Sequence, residues 1–306
     1  MNKAKQQYGP WERRAVVLVP YLWLVVFFLI PFLIVLKISL SHTVIAQPPY
    51  APVLDPGAGW DSVKAFFTGL SLENYAFIVS DQFYLASYLK SLEVAAGSTL
   101  LLLLIGFPLA YGMARAPRGW QPALFMLIVL PFWTSFLIRI YAWVSILQRD
   151  GLLNQILLGL RIVDEPPAWL ASDTAVYLGI VYSYLPFMVL PIYAALEKMD
   201  DTLIEAAADL GCRRWKAFWL VTLPLSAPGV LAGALLCFIP IVGEFVIPDL
   251  LGSSQTMMIG QTLWTEFFAN KDWPVASAVA VVLLCLLVAP MLFYQQMRAR
   301  DLEGGR

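Results

Sequence analysis

Charge is scarce in this 306-residue chain: 13% of its residues are Asp, Glu, Lys or Arg, whereas 60% are hydrophobic. A soluble globular domain carries about 25% charged residues. The chain therefore lacks the polar side chains that would cover a water-facing globule, which argues against a soluble enzyme and against a disordered protein. Its formal net charge of −1 provides no basic field, so nucleic acid is not expected as a partner.

Further absences narrow the chemistry. His42 is the one histidine in the sequence, which excludes a histidine-based triad or a His-rich metal site. The three cysteines, Cys212, Cys237 and Cys285, form no C-x-x-C pair and are expected to be free thiols. Neither a G-x-x-x-x-G-K-[ST] phosphate loop nor a G-x-G-x-x-G turn occurs. We therefore expect this chain to bind no cofactor or metal, and any nucleotide hydrolysis must come from another protein.

Long uncharged segments are what the sequence contains instead. A helix needs about 20 apolar residues to cross a bilayer. Residues 1–306 are predicted to form one all-α integral membrane domain with six transmembrane helices, at about 15–38, 92–114, 120–140, 174–196, 226–247 and 274–297. The first is longer than the apolar part of a signal peptide and is interpreted as a retained anchor. The uncharged stretch 250–265 is predicted to be a loop or a re-entrant segment.

The distribution of basic residues predicts the orientation. Thirteen of the twenty Lys and Arg residues lie at the termini or in the segments on the same side as the termini. Because basic residues favour the cytoplasmic side, both termini are predicted to be cytoplasmic. The opposite face is rich in acidic residues and would concentrate cations, although the same asymmetry also follows from the positive-inside rule alone.

The segment between the fourth and fifth spans carries the most detailed pattern. Thr202 and Glu205 have capping-box spacing, which predicts a helix start at Thr202 or one residue earlier. The alanines at 206–208 favour helix and allow a partner to approach closely. Gly211 stands where a helix end needs positive φ. A second, basic and aromatic helix is predicted to follow and to end at Pro224, so that two short helices project into the cytoplasm.

This pattern resembles the E-A-A-x-x-x-G signature of ABC importer permeases. The matching residues are, in order, Glu205, Ala206, Ala207, Gly211, Phe218, Leu223 and Pro224. The resemblance implies a type I permease fold in which residues 198–224 form a cytoplasmic coupling loop that docks on an ATPase subunit. The alternative for this segment alone is an ordinary amphipathic connector.

Over nearly its whole length the chain is similar to permease subunits of polyamine (spermidine/putrescine) importers, and closest to the putrescine type around residues 243–252. The resemblance implies a multi-pass subunit of the bacterial inner membrane that works by alternating access. Implied partners are a second permease, expected to be a different chain, two ATPase subunits that bind ATP and Mg, and a periplasmic or extracellular solute-binding protein. The alternatives are a permease for another small organic solute and an ion-coupled secondary transporter.

A polyamine path requires carboxylates for the ammonium groups and aromatic faces for the cations and the methylene stem. Glu244 is the main candidate, because a carboxylate within a span costs about 2.5–3.5 kcal/mol and usually faces a cavity or a partner. It would otherwise be an interfacial residue paired with a neighbour. The aromatic candidates lie beside an expected break at Pro186 or in the third span, and all fit simple packing equally well: Tyr182, Tyr184, Phe187 and Trp133.

Three further charged residues are candidates for contacts. Asp173 and Asp249 are predicted to contact the solute-binding protein, and the alternative is that they only solvate the surface. Arg139 is a candidate to pair with an acid at an outer gate.

Overall fold

A computed structural model describes residues 10–53, 64, 67–200 and 202–304, with side chains from residue 16 to residue 288 within these ranges. The regular secondary structure of the described chain is helical apart from one antiparallel pair of two-residue strands, β1 (His42–Thr43) and β2 (Tyr50–Ala51). It divides into two compact units, one from residues 1–81 together with 263–306, the other from residues 82–262.

The first unit is built on the two ends of the chain. Its described elements are α1 (Pro10–Leu24), a π-helical turn (Val25–Leu29), α2 (Ile30–Ser39), β1, β2, α3 (Glu73–Ser80), a second π turn (Thr265–Ala269) and α14 (Trp273–Gly304). Helices α2 and α3 pack against α14. The Asn74 side-chain amide donates to the carbonyl oxygens of Ser39 and Ser41, both at 2.8 Å, and so fixes the start of α3 against the end of α2.

The second unit contains the longer helices. In chain order they are α4 (Gln82–Arg115), α5 (Gln121–Val129), α6 (Phe136–Leu147), α7 (Leu152–Gly159), α8 (Asp173–Glu197), α9 (Thr202–Asp209), α10 (Arg214–Ala217), α11 (Leu223–Val242), α12 (Val246–Leu251) and α13 (Ile259–Trp264), which ends just beyond it. Two 3₁₀ turns, Leu130–Trp133 and Ser254–Thr256, and a π turn, Phe218–Thr222, lie between them.

Helices α4, α8 and α11 pack together as the core of the second unit. Fully buried apolar side chains such as Leu102, Ile180 and Ile241 fill it. Helix α11 approaches α8 closely at Gly229, where a Cβ would lie 2.6 Å from the carbonyl oxygen of Pro191. Small residues at a helix contact of this kind are typical of packing inside membranes, where backbones come close together.

Four described helical stretches are long and apolar enough to cross a membrane: Val16–Ser39, Gln82–Arg115, Asp173–Glu197 and Arg214–Val242. They overlap the first, second, fourth and fifth predicted spans. In α14 the apolar part with described side chains, Trp273–Val288, overlaps the sixth predicted span but is shorter. The count of six spans and the cytoplasmic termini stay predictions.

The third predicted span, 120–140, is broken rather than straight. The chain bends by 89° between Gln121–Trp133 and Phe136–Gly159. The cause lies at Pro131 and in the two residues after the 3₁₀ turn, because Thr134 and Ser135 have extended ψ angles of 151° and 139°. Proline lacks an amide hydrogen and disfavours a continued helix, so the apolar composition alone gave the wrong local geometry.

Two other prolines disturb the helices that contain them less than the sequence predicts. Helix α8 runs through Pro186 without a break, so the expected break there is wrong. Pro224 does not end a helix either, because a π turn immediately before it leads directly into α11. A π turn accommodates a proline whose ring would clash with the carbonyl four residues earlier. At the other end, α11 stops at Val242, five residues before the predicted end of the fifth span.

Candidate functional site

The segment predicted to couple to the ATPase, residues 198–224 and called the coupling segment below, begins with a short exposed helix. Helix α9 starts at Thr202, so this residue is helical rather than the cap, and residue 201 lies outside the described residues. The Thr202 amide donates to Asp200 Oδ1 at 3.0 Å. This backbone hydrogen bond, with one from the Thr202 side chain, lowers the pKa of Asp200. A carboxylate at this position also suits the positive end of the helix dipole.

Gly211 ends this helix in a Schellman motif. Its φ is +78°, a conformation that L side chains rarely adopt. The Gly211 amide donates to Ala208 O at 2.8 Å, and the Cys212 amide donates to Ala207 O at 2.9 Å. These are the two hydrogen bonds that define the motif. The predicted requirement for positive φ at Gly211 is confirmed.

The coupling segment presents apolar side chains to its surroundings. Leu210 is 88% exposed, and Leu203, Trp215 and Leu220 are exposed as well. Glu205 and Ala206 of the signature lie on the exposed surface of α9, and Ala207 is half-buried. A cluster of exposed large apolar side chains on a short helical hairpin is typical of a protein–protein contact.

Phe218 connects this segment to α4. Its ring makes edge-on contacts with Phe107 and Tyr111, with centroids 5.6 and 5.9 Å apart, and stacks on Trp215. Leu223 is half-buried, whereas Pro224 is exposed. Phe218 therefore packs the exposed segment onto a long helix of the second unit.

A cavity of about 410 Å³ lies elsewhere in the second unit. Residues of the first 3₁₀ turn, α6, α8 and α11 line it: Phe132, Phe136, Arg139, Ser183, Tyr184, Phe187, Leu236 and Pro240. It thus brings together two of the predicted path residues, Tyr184 and Phe187. Most of its wall is aromatic or aliphatic, with one cationic side chain.

Glu244 is next to this cavity and accepts hydrogen bonds on both carboxylate oxygens. It is 9% exposed, and Tyr184 Oη donates to its Oε2 at 2.7 Å. Its Oε1 accepts the amides of Val246 and Ile247 at 3.1 and 3.4 Å, which satisfies the start of α12. Two predicted path residues, Glu244 and Tyr184, are thus joined by a hydrogen bond, and the carboxylate also accepts the first amides of α12, a structural role that the sequence did not indicate. Their contact with a solute stays a prediction.

Arg139, in contrast to Glu244, is buried without a full set of hydrogen bonds. It is 9% exposed, yet its Nε and Nη1 have no hydrogen-bond partner among the residues that the structure describes. The guanidinium carbon lies 5.1 Å from the centre of the Phe132 ring and 5.8 Å from that of Phe136. The hydroxyl of Ser183, a residue only 4% exposed, is also without a partner. Two nitrogens of Arg139 and the Ser183 hydroxyl, all at this cavity, are therefore available to hydrogen-bond a further group.

The other predicted path residues lie apart from this cavity. Tyr182 packs edge-on against Trp143, with ring centroids 5.5 Å apart. Trp133 is 73% exposed and does not line the cavity. The sequence reasoning did not select Phe132, Phe136 or Ser183. Arg139 was a candidate because it is a charged residue directly at the end of an apolar run. Such a charge in a membrane protein usually marks a functional position.

The two predicted contact acids differ in their surroundings. Asp173 Oδ2 accepts from Lys90 Nζ at 2.8 Å, and its Oδ1 accepts from the Thr256 hydroxyl at 2.6 Å. This carboxylate therefore joins α4 to α8 inside the second unit. Asp249 is exposed and accepts from the Gln261 side-chain amide at 3.0 Å. Contact of either acid with a binding protein stays a prediction.

Long apolar helices, a short exposed helical hairpin and a cavity between helices fit a membrane transport permease. The model of the family described as binding-protein-dependent transport system inner membrane component matches residues 14–300, and the chain belongs to this family. It is therefore a multi-pass permease component of an ABC importer rather than an enzyme. Such a component works with a partner permease, an ATPase and a binding protein.

Relatives and solved structures agree with this assignment. The chain is 36% identical over 282 residues to the spermidine/putrescine transport system permease protein PotB of Haemophilus influenzae, covering 92% of each chain. With PotB of Escherichia coli K12 it shares 38% over 232 residues, which is 76% of this chain and 83% of that one. These relatives confirm the resemblance to polyamine importer permeases.

Two solved transporters share the fold at low sequence identity. A bacterial alginate ABC transporter in complex with an alginate-bound periplasmic protein gives a TM-score of 0.72 at 16% identity, covering 95% of both chains. The MetNI methionine ABC transporter gives 0.54 at 17% identity, covering 70% of this chain and 94% of that one. The predicted all-α, type I importer permease fold is confirmed.

Proposed function

We propose that this chain is the permease subunit of an importer that moves spermidine or putrescine into the bacterial cell by alternating access. The observation that carries the proposal is the 36% identity to a spermidine/putrescine permease over 92% of both chains. We further propose a bacterial inner-membrane location, a second permease that is a different chain, two ATPase subunits that bind ATP and Mg, and a solute-binding protein.

The coupling segment supports the part of this proposal that concerns the ATPase. Its apolar side chains, Leu210 and Trp215 among them, are exposed and would be covered by docking into a groove of the ATPase. Glu205, Ala206 and Ala207 would contact that groove, and small side chains there allow close approach. Phe218 would pass the motion of the ATPase to α4 through its contacts with Phe107 and Tyr111.

The cavity beside Glu244 supports the part that concerns the solute. A polyamine carries ammonium groups, for which a carboxylate is a natural partner, and methylene groups, for which Tyr184 and Phe187 provide apolar and π surface. Glu244 would exchange its hydrogen bond with Tyr184 for an ammonium as the subunit changes state. Tyr182 and Trp133 would line other stages of the path, and the exposed Asp249, with Asp173, would contact the binding protein.

Replacement of Glu244 tests the role of the carboxylate. Glu244→Gln keeps an oxygen that accepts the amides of Val246 and Ile247, so the fold should be retained. It removes the charge that would attract an ammonium. Because a hydrogen bond to a charged group contributes about 1.5–3 kcal/mol, we expect initial uptake of radiolabelled spermidine and putrescine to fall at least about tenfold in proteoliposomes containing the whole transporter.

The matched control is Glu165→Gln, which removes an exposed carboxylate and should transport normally. Equal uptake by the Glu244→Gln and control transporters would remove Glu244 from the path. In intact cells the same uptake should stop on ATP depletion and persist with a protonophore. The reverse result would contradict an ATP-driven importer and favour an ion-coupled carrier.

A further inference from the structure

The cavity in the second unit contains a permanent cation whose hydrogen bonds are unmet. Arg139 is more than nine-tenths buried, and its Nε and Nη1 donors have no acceptor within the described part of the chain. A buried charge is strongly unfavourable unless it is paired, and a guanidinium keeps its proton under all ordinary conditions. The unpaired Ser183 hydroxyl lines the same cavity. These groups require an acceptor that is not part of the described chain.

The aromatic wall does not meet this requirement. Phe132 and Phe136 lie within 6 Å of the guanidinium carbon and attract it through their ring faces. The N–H groups, however, point outward in the guanidinium plane and still need oxygen acceptors. The rings therefore hold Arg139 in the cavity without satisfying it.

The acidic residues that the structure describes do not meet it either. None of the eight described residues that line the cavity is acidic. Glu244, the carboxylate beside it, accepts hydrogen bonds on both oxygens, from Tyr184 and from two amides of α12. Among the described residues no ion pair joins Glu244 or any other acid to Arg139.

We propose that Arg139 receives an Asp or Glu side chain of the second permease subunit, which completes this cavity in the assembled transporter. A carboxylate matches both the charge and the hydrogen-bond geometry of a guanidinium. The mouth of the cavity is apolar, because the lining residues Phe187, Leu236 and Pro240 are exposed there. Lipid tails would cover such a surface but have no hydrogen-bond acceptor. An apolar protein surface that contains one acidic residue would both cover the mouth and provide the acceptor for Arg139.

The proposal shares one assumption with the proposed polyamine import. This assumption is that the second permease is a chain of different sequence. It adds that the unpaired charge of Arg139, which would repel an ammonium solute, is neutralised by the partner. The cavity then presents aromatic and hydroxyl groups to the solute rather than a net positive charge. The site is thus incomplete in this chain alone.

Cross-linking in the complete transporter tests the pairing directly. The native Cys212, Cys237 and Cys285 are first replaced by Ala. Arg139→Cys is then combined with single cysteines at each Asp or Glu in the predicted spans of the second permease, and a short bis-thiosulfonate reagent is added. We expect one acidic position to cross-link strongly. Arg149→Cys, an exposed position after α6, is the matched control and should show background yield only.

Charge variants give the second measurement. Arg139→Gln should make the second permease dissociate at least about thirtyfold faster in detergent, because one charge of a buried pair would be left alone. Arg139→Lys should retain much of the association. Arg139→Glu should be rescued by Arg at the cross-linked acidic position. Arg139→Met, an apolar replacement of similar length, should insert and fold normally but should lose the association.

Absence of any cross-link above the Arg149→Cys background would overturn the proposal. So would Arg139→Gln and Arg139→Met transporters that retain the second permease as firmly as the unmodified one. If acetate raised the melting temperature of the unmodified subunit but not that of the Arg139→Met variant, while no acidic position cross-linked, the acceptor would be a solute, and the proposed partner would be wrong. None of these measurements uses a polyamine, so they stand apart from the test of the cargo.

Discussion

At the scale of single residues, Gly211 shows how one backbone angle shapes an exposed surface. With φ at +78°, it lets the amides of Gly211 and Cys212 close the C-terminus of α9, after which the chain turns towards Arg214. An L residue in this conformation costs roughly 1–2 kcal/mol, and a β-branched residue costs more. The angle between α9 and the following helix therefore depends on the absence of a Cβ.

Substitution of Gly211 should separate insertion from coupling. We expect Gly211→Val to reach the membrane at normal levels but to recover about tenfold less ATPase on copurification, because the docking surface is displaced. Gly211→Asn is the matched variant, since asparagine tolerates positive φ, and it should retain most of the ATPase. Equal recovery in the Val and Asn variants would mean that this conformation does not determine docking.

Single residues also show which structural roles could be predicted from the sequence and which could not. Gly211 was predictable because helix ends have a local code. Arg139 was recognisable as a charge beside an apolar run, but its lack of an acceptor depends on α8 and α11, which are distant in sequence. The structural task of Glu244 was hidden for a related reason, because α12 starts only two residues later, inside what the composition presented as one apolar span.

At the scale of elements, the contact of α11 with α8 depends on glycine. A Cβ at Gly229 would lie 2.6 Å both from the Ala195 Cβ and from the Pro191 carbonyl oxygen. Neither atom can move without shifting the helix that carries it. Gly229→Leu should therefore push the two helices apart and destabilise the unit by at least about 2 kcal/mol, the range observed for overpacked cores.

Thermal unfolding in detergent measures this effect. We expect the apparent melting temperature of Gly229→Leu to fall by several degrees. Gly112→Leu is the matched control within a long helix, because a Cβ at Gly112 would meet nothing within 4 Å, and its melting temperature should stay close to that of the unmodified protein. A similar loss in both variants would attribute the effect to helix flexibility rather than to close packing.

The elements themselves were predictable where composition determines them. Apolar runs of about 20 residues identified α4, α8 and α11, because burial of such runs in a membrane depends on length and hydropathy. The bend at Thr134 and Ser135 and the continuous helix through Pro186 were not predictable in the same way. A proline frees a backbone carbonyl from its hydrogen bond within the helix. Whether the helix continues then depends on the neighbouring helices that surround this carbonyl, and the sequence of one segment does not contain that information.

At the scale of the whole molecule, the orientation of the chain follows from its basic residues and has a direct test. If the coupling segment is cytoplasmic, Cys212 within it should react with a membrane-impermeant maleimide only in inverted vesicles. The other two cysteines are replaced by Ala for this measurement, and the buried Cys237, tested alone, should label poorly from either side. Labelling of Cys212 in right-side-out spheroplasts would reverse the predicted topology.

The unbroken helical path from Arg214 to Val242 has a mechanical consequence. Its 29 residues make a rod about 43 Å long at 1.5 Å per residue. Pivoted at one end, a rod of that length swings its far tip by about 4 Å for a tilt of only about 5°. A tilt of this size imposed at the end that carries Trp215 would thus become, near Gly243, a displacement large enough to open or shut a passage of molecular width.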